Sequence, residues 1–331
     1  MLIPRARLAA LLATAKKHRI TVLGDAMLDV YLTGDVDRVS PEAPVPVVRV
    51  RSRRHALGGA ANVAQNVTAI GARADLVATV GSDESAKLLK ALLKIEGGDT
   101  AGLVAIDRPT TTKTRIVARS QQVVRVDEET DDDCSPAEIA KLNAAVAKSI
   151  AASDALILED YNKGVLVAPV IEHALAAARK KGIPVVVDPK YRNFFSYQGA
   201  TIFKPNRREL EAALGASVDV DHPKTLPGLV EKLGVEAILL TLSERGMALI
   251  EKGASGKKGV HRIPTTARDV YDVVGAGDTV TAYLAAMLAA GATALEAAVI
   301  ANFAAGVEVG KLGAATVTPA EVLSAYDGWG S

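Results

Sequence analysis

The chain has 331 residues, enough to bury a large core, and 49% of them are hydrophobic. Its 39 basic and 38 acidic residues leave a net charge of +1, which gives no electrostatic reason to expect nucleic acid or an anionic membrane as the main partner. The single cysteine, Cys134, excludes an intrachain disulfide and a thiolate-rich metal cluster; with no signal peptide and no apolar run of bilayer length, a reducing cytoplasm is the expected location.

The first segment, Pro4 to His18, reads as a short structural helix. From Ile20, ITVLG has the composition of a buried strand and is followed by Asp25 and Asp29. Strand ends in open α/β sheets are where ligands bind, so either acid could hold a hydroxyl, or both could belong to an ordinary turn. Pro41, Pro44 and Pro46 cannot lie in a central strand and point to an edge excursion or a small flap. Gly58 and Gly59 then open the alanine-rich helix Ala60 to Ile70, with Asn62 in its first turn. These glycines would let the backbone approach a ligand, or would serve helix packing. After an ordinary strand and helix, the stretch TTTKTRIVARSQQVVRVD alternates β-branched residues with Lys113, Arg115, Arg119, Gln122 and Arg125. That period of two predicts a strand pair, and the proline-rich excursion near Pro44 could pair with it. The pair suits a lid with a basic face for an anionic substrate, or a solvated charged edge.

From Pro136 the pattern becomes regular: helix Pro136 to Ala151, strand at Ala155, helix Ala168 to Lys181, strand to Asp188. This alternation argues for a parallel sheet covered on both faces. Polar residues cluster past successive strand ends: Glu159, Asp160 and Lys163, then Asp188 and Lys190, then Asn206 and Glu209. Such repetition points to a ligand crevice. EAILLTLSERGMALIEKG adds a strand, a turn and a return strand. Then comes DVVGAGDTVTAYLAAMLAA, where Gly275, Ala276 and Gly277 open directly into a helix with Asp278 at the joint. Free amides at such a joint suit an anion, and an adjacent carboxylate suits a base that takes a proton from a hydroxyl. Asp278 could equally be a helix cap. The chain has no GxxxxGK[ST] loop, no GxGxxG after its first strand, no HExxH and no GxSxG. Phosphoryl transfer to an alcohol, which relies on positioning and charge neutralisation, remains.

DVVGAGDTV and LGGAANVA resemble the two signatures of the ribokinase-like (PfkB) carbohydrate kinases, and the resemblance extends from Ile20 to Asp327. It implies a three-layer α/β/α fold with a central, mostly parallel sheet and a small β-sheet lid. One domain over 1–331 is expected, with the lid formed by about 31–56 and 109–127. By the same resemblance Asp278 matches the catalytic base, and Gly275, Ala276 and Gly277 the anion hole. Asp29, Gly58, Gly59 and Asn62 match sugar-binding positions. Asn206 and Glu209 match the pair near the nucleotide phosphates and Mg2+, with Glu209 acting on the ion indirectly. Ser243 and Gly246 match a nucleotide-binding turn, and Asn302 a helix flanking adenine. Asp272 and the loop around Gly313 fall where many members hold K+ or another monovalent cation. ATP is the implied phosphoryl donor.

A narrower resemblance, carried by GDAMLDVYLTGDVDRVSPEAPVPVV, TTKTRIVARSQQVVRVD, EDYNKGVL and VDPK, is to the heptose 7-phosphate kinases of that family. It implies phosphorylation of the anomeric hydroxyl of D-glycero-β-D-manno-heptose 7-phosphate on the way to lipopolysaccharide inner core. Lys163 and Lys190 are then the first candidates for holding the sugar phosphate, with Arg115, Arg119, Gln122 and Asp160 as further substrate-binding residues. Many such kinases are fused to a nucleotidyltransferase domain, whereas this sequence, ending at Ser331, is expected to act as a stand-alone kinase. A homodimer through the lid strands is also expected. The competing readings are a kinase for another sugar or sugar phosphate, and a nucleotide-binding regulator without turnover.

Overall fold

The computed structural model describes residues 3–119, 121–221, 226–252 and 259–329. The two ends of the 1–331 span, and Ser120 inside the stretch expected to form the lid, lie outside the described residues. The chain opens with α1 (Arg5–Ala15) and β1 (Arg19–Gly24), then leaves the main sheet for a long hairpin of β2 (Ala26–Val39) and β3 (Pro46–Gly59). It returns through α2 (Ala60–Ile70), β4 (Arg73–Val80), α3 (Glu84–Ile95) and β5 (Asp99–Ala105), and makes a second excursion with β6 (Thr112–Ala118) and β7 (Gln121–Glu128). Regular alternation follows: α4 (Pro136–Ala152), β8 (Ala155–Glu159), α5 (Ala168–Lys181), β9 (Val185–Asp188), β10 (Ile202–Phe203), α6 (Arg207–Leu214), α7 (Pro227–Leu233) and β11 (Ala237–Thr241). The last part comprises β12 (Met247–Glu251), β13 (Val260–Ile263), α8 (Ala276–Ala289), α9 (Ala294–Glu308) and α10 (Pro319–Asp327).

Nine strands form the main sheet in the order β13-β12-β11-β10-β9-β8-β1-β4-β5. The pairings from β11 through to β5 are parallel; β12 and β13 add antiparallel strands at one edge. Continuous apolar runs such as ALILE and VVVD are what strands covered on both faces require, and β8 and β9 are buried along their whole length. Core residues from α1, α2, α3, α8, α9 and α10 pack on one face, and those from α4, α5, α6 and α7 on the other. The result is a three-layer α/β/α arrangement. Strand order reverses at β1, which lies between β8 and β4. A parallel sheet opens a crevice beyond its carboxyl ends at such a point, and here the residues following β1 and β8 are Asp25 and Asp160.

The smaller sheet has the order β3-β2-β6-β7. The proline-bearing strand β3 pairs antiparallel with β2, and β2 runs parallel to β6, so β2 separates the two stretches that the sequence suggested might pair directly. The strands also reach further than 31–56 and 109–127: β2 starts at Ala26 and β3 ends at Gly59, at the rim of the main sheet. Asp29 therefore sits on β2 opposite Ala56 and Lys113, rather than in a turn after β1. The chain does not turn at Asp25 because β2 continues in extended form, and Gly59, at φ 54°, makes the break that starts α2. The elements not foreseen in the sequence include β5, which closes one edge of the main sheet, β13, which closes the other, and the short helices α6 and α7.

Candidate active site

α8 begins at Gly275, whose φ of 98° lies in the left-handed region, and no side chain caps the helix. No side chain satisfies its first amides: that of Ala276 makes only a long 3.5 Å bond to the Val273 carbonyl, and those of Gly277 and Asp278 stay available for an anion. Asp278 is at the third helical position, so it is not the cap. Its carboxylate is buried and accepts hydrogen bonds from Asn62 Nδ2 at 2.6 Å and from the Tyr161 hydroxyl at 3.1 Å. Burial pushes its pKa up to about 6; the Asn62 hydrogen bond opposes the rise, and the negative charge of Asp188 adds to it. Asn62 is itself held: Asn66 Nδ2 donates to the Asn62 carbonyl, and Thr279 Oγ1 donates to Asn66 Oδ1. A polar seam thus locks the start of α2 to the start of α8.

Beneath Asp278 lie two more buried acids from strand ends, Glu159 and Asp188. One carboxylate oxygen from each of the three falls within 4.8 Å of the others. Lys204 Nζ donates to Asp188 at 2.8 Å and supplies a countercharge. Neither Glu159 oxygen has a hydrogen-bond partner, and burial followed by the Asp188 charge holds its pKa well above the usual carboxylate range. The loop after β8 is anchored by Asp25, whose carboxylate accepts amides from Tyr161, Lys163 and Val165. Asp25 therefore shapes this loop. Asp160 does likewise, accepting from the Asn162 amide and the Tyr197 hydroxyl.

Asp278 opens into a cavity of about 260 Å³ whose walls include Asp29, Gly58, Gly59, Asn62, Tyr161 and Gly275, with Lys113, Arg115 and Arg125 projecting from the small sheet. The three cations are tethered: Arg115 to Asp29 at 2.6 Å, Lys113 to Glu129 at 2.8 Å and Asp127 at 3.3 Å, and Arg125 to Asp127 at 2.9 Å. Arg125 is the most exposed of them, at 50% of its side chain.

Five of the residues expected to bind the substrate lie elsewhere. Lys163 is drawn off by Glu129 and Asp131, and Lys190 by Glu209, with its ammonium 5.3 Å from the centre of the Tyr161 ring. Arg119, at φ 48°, and Gln122 sit around the β6–β7 turn, at the end of β6 away from Lys113. Asp160 is buried in the loop anchor described above.

On the other side of the α8 turn, Asn206 and Glu209 form a reciprocal capping box for α6, and Glu209 also meets Lys190 at 2.5 Å. Ser243 and Gly246 make a tight 3₁₀ turn with Ser243 at φ 54°. Asn302 Nδ2 donates to the Pro264 carbonyl beside a cleft of about 340 Å³, lined by Ile263, Thr266, Val299, Phe303 and Trp329 among others. Asp272 accepts the amides of Val274 and Gly313, so it ties the turn before α8 to the loop after α9. Glu308 is buried nearby, its pKa pushed up to about 8 chiefly by burial.

Tyr161, Lys204 and Glu308 were not singled out from the sequence, although each carried a signal there. Tyr161 lies between two polar residues just past a strand end. Lys204 interrupts the apolar strand run TIF, and Glu308 an alanine-rich helix.

Residues 17–321 match the pfkB family carbohydrate kinases. The chain is 47% identical over 310 residues to the bifunctional protein HldE of Gluconacetobacter diazotrophicus, covering 92% of this chain and 63% of that protein. It is 42% identical over 325 residues to the same-named protein of Rhodospirillum rubrum, covering 97% and 65%. The chain thus spans less than two thirds of the length of these curated relatives. Phosphofructokinase-2 from Escherichia coli, in complex with substrates and products, superposes with a TM-score of 0.77 at 17% identity, covering 95% of this chain and 100% of that one. Ribokinase from Arabidopsis thaliana, complexed with ribose and ATP, gives 0.72 at 21% identity, covering 93% and 98%. These two likenesses concern the fold, a ribokinase-like one. The match across 17–321 and the identity to the HldE proteins show that the chain belongs to the pfkB family of carbohydrate kinases.

Proposed function

We propose that this sugar kinase transfers the terminal phosphoryl group of ATP to the anomeric hydroxyl of D-glycero-β-D-manno-heptose 7-phosphate, giving the 1,7-bisphosphate and ADP. The observation that carries the reading is a buried carboxylate, Asp278, placed beside uncapped helix amides in a cavity that also holds cations from the small sheet. In this reading the acceptor hydroxyl gives its proton to Asp278, and the amides at Ala276 to Asp278 steady the phosphoryl group in flight. Asp29, Asn62 and the backbone of Gly58 and Gly59 hold sugar hydroxyls. Arg125 and Arg115, with Lys113 behind them, hold the 7-phosphate by exchanging a carboxylate for a phosphate. The heptose is favoured over other acceptors by the resemblance of the 24–48, 111–127 and 159–166 stretches and by identity to the HldE proteins.

ATP is placed with its adenine in the cleft beside Asn302 and Phe303, its phosphates toward Ser243, Gly246 and Asn206. Glu209 suits a hydrated Mg2+, since its carboxylate is partly exposed beside the turn and already meets a cation, Lys190. Mg2+ there would neutralise phosphate charge. A monovalent cation, if used, would meet Asp272 beside buried Glu308. The chain is read as one kinase domain whose small sheet is a lid. Val50, Val123, Val124 and Val126 are exposed on that sheet, with Val45 in its hairpin loop, and favour pairing with a second copy. Sedimentation at micromolar concentration checks this: a dimer is expected, and a monomer at all concentrations contradicts it. Among the described residues no helix is long and apolar enough to cross a membrane, and a cytoplasmic location is proposed.

The test of the reaction is ADP release with Mg-ATP and a panel of heptose 7-phosphate, fructose 6-phosphate, ribose and adenosine, followed by phosphorus NMR of the product. Turnover confined to the heptose, with new phosphate at C1, is expected. Preferred turnover of another acceptor overturns the substrate; no turnover of any acceptor favours the regulator.

A further inference from the structure

We propose that Tyr161 is the positioning residue of the base: its hydroxyl fixes the orientation of the Asp278 carboxylate and keeps it ionised at working pH. This rests on the reading of Asp278 as the base. The loop that carries Tyr161 is unusually well held. Asp25, at the end of β1, accepts the Tyr161 amide at 2.8 Å, the Lys163 amide at 3.1 Å and the Val165 amide at 3.2 Å, and Asn162 is turned through φ 55°. Those contacts aim the Tyr161 side chain at Asp278, where its hydroxyl donates to Oδ1 while Asn62 donates to Oδ2. Each oxygen thus has a donor, and the carboxylate cannot swing about its own bond without losing both. Lys190 braces the ring, with Nζ 5.3 Å from its centre.

The groups facing Asp278 from the packed elements explain why such a donor is needed. Glu159 from β8, Asp188 from β9 and Glu308 from α9 are acidic, and the charge of Lys204 opposes them. Burial among acids favours the neutral form of Asp278, which cannot take a proton from a sugar. A hydroxyl donating to the ionised form pulls the other way. When an acceptor hydroxyl enters, it competes with Tyr161 for the face of Oδ1, so the tyrosine also marks where the sugar oxygen must come.

The test compares wild type with Tyr161→Phe, which removes one oxygen and keeps the half-buried ring, using the acceptor in the panel that wild type turns over best. Expected are a loss of about ten-fold in kcat, little change in acceptor KM, and a shift of the acidic limb of kcat/KM upward by about one pH unit. Carbon-13 NMR of labelled aspartate carboxyls, with the Asp278 signal identified by its loss in Asp278→Asn, should show the same upward shift without substrate. An unmoved limb and an unmoved carboxyl titration overturn the proposal, whatever happens to kcat. Asp278→Asn run alongside separates the two readings: if that variant retains wild-type turnover, the base assignment itself fails, whereas its inactivity together with an unshifted Tyr161→Phe profile rejects only the tyrosine.

Discussion

The two sheets differ in how their residues meet water. In the main sheet β8 and β9 are buried throughout, and the polar groups that matter sit at or just past the ends of strands clamped on both faces. In the small sheet nearly all of β7 and half of β3 are exposed, and charged side chains line the strands themselves. A strand buried on both faces can hold a carboxylate to a fraction of an ångström but cannot tolerate a free charge along its length. A solvated strand can carry cations at little cost and can shift with its ligand. The difference suggests a division of labour: the main sheet performs the chemistry, and the small sheet selects the substrate.

The largest effect should come from the main-sheet side. Asp278→Asn is expected to lower kcat by roughly a thousand-fold or more with a small change in acceptor KM, measured by ADP release. On the small-sheet side, Arg125→Met and Arg115→Met should raise KM for the phosphorylated sugar by about ten- to a hundred-fold while kcat changes little. A smaller effect probes the anion hole. A methyl group at Gly277 would meet only Lys204 Nζ at 3.6 Å and Asp188 Oδ2 at 3.9 Å, so Gly277→Ala should fold normally and lose about ten-fold in kcat only if a phosphoryl group approaches those amides. The same change at Gly58 is different, since its methyl would lie 2.7 Å from Met27 and 3.0 Å from Asp29 Oδ2; there, stability should fall along with activity.

Much of the scaffold behind this proposed division was legible in the sequence. Apolar runs alternating with helices specified the main sheet, and the α8 turn stood out because glycines and an aspartate precede a helix of good formers. The roles of individual cations were not legible. Lys163 and Lys190 follow strand ends, as ligand-binding residues do, but Glu129, Asp131 and Glu209 draw them away, and those pairings arise between segments remote in sequence. Arg125 was visible only as one member of a basic strand. Its place in the cavity depends on β2 running between the two excursions, a pairing that periodicity does not encode. The NRRE stretch is a reminder that one pattern can have two causes, since Asn206 and Glu209 cap α6 whatever else they do.

The smallest effect is one of stability. The folded pKa of Asp278 is raised to about 6, above its ordinary value of 3.8, so the folded state binds this proton more tightly and loses stability as pH rises between these values. Asp278→Asn removes that penalty. The variant should be more stable than wild type by about 1–3 kcal/mol at pH 8 in urea titration, and the advantage should vanish near pH 4. An advantage that stays the same at both pH values would show that Asp278 is not the source.

The most direct test of the division between the sheets is the ratio of kcat/KM for heptose 7-phosphate to that for the unphosphorylated heptose, measured in wild type, Arg125→Met and Asp278→Asn. Wild type should strongly prefer the phosphorylated sugar. Arg125→Met should erase most of that preference through KM, while Asp278→Asn lowers both rates and leaves the ratio unchanged. A ratio that survives Arg125→Met, or collapses in Asp278→Asn, would contradict the account.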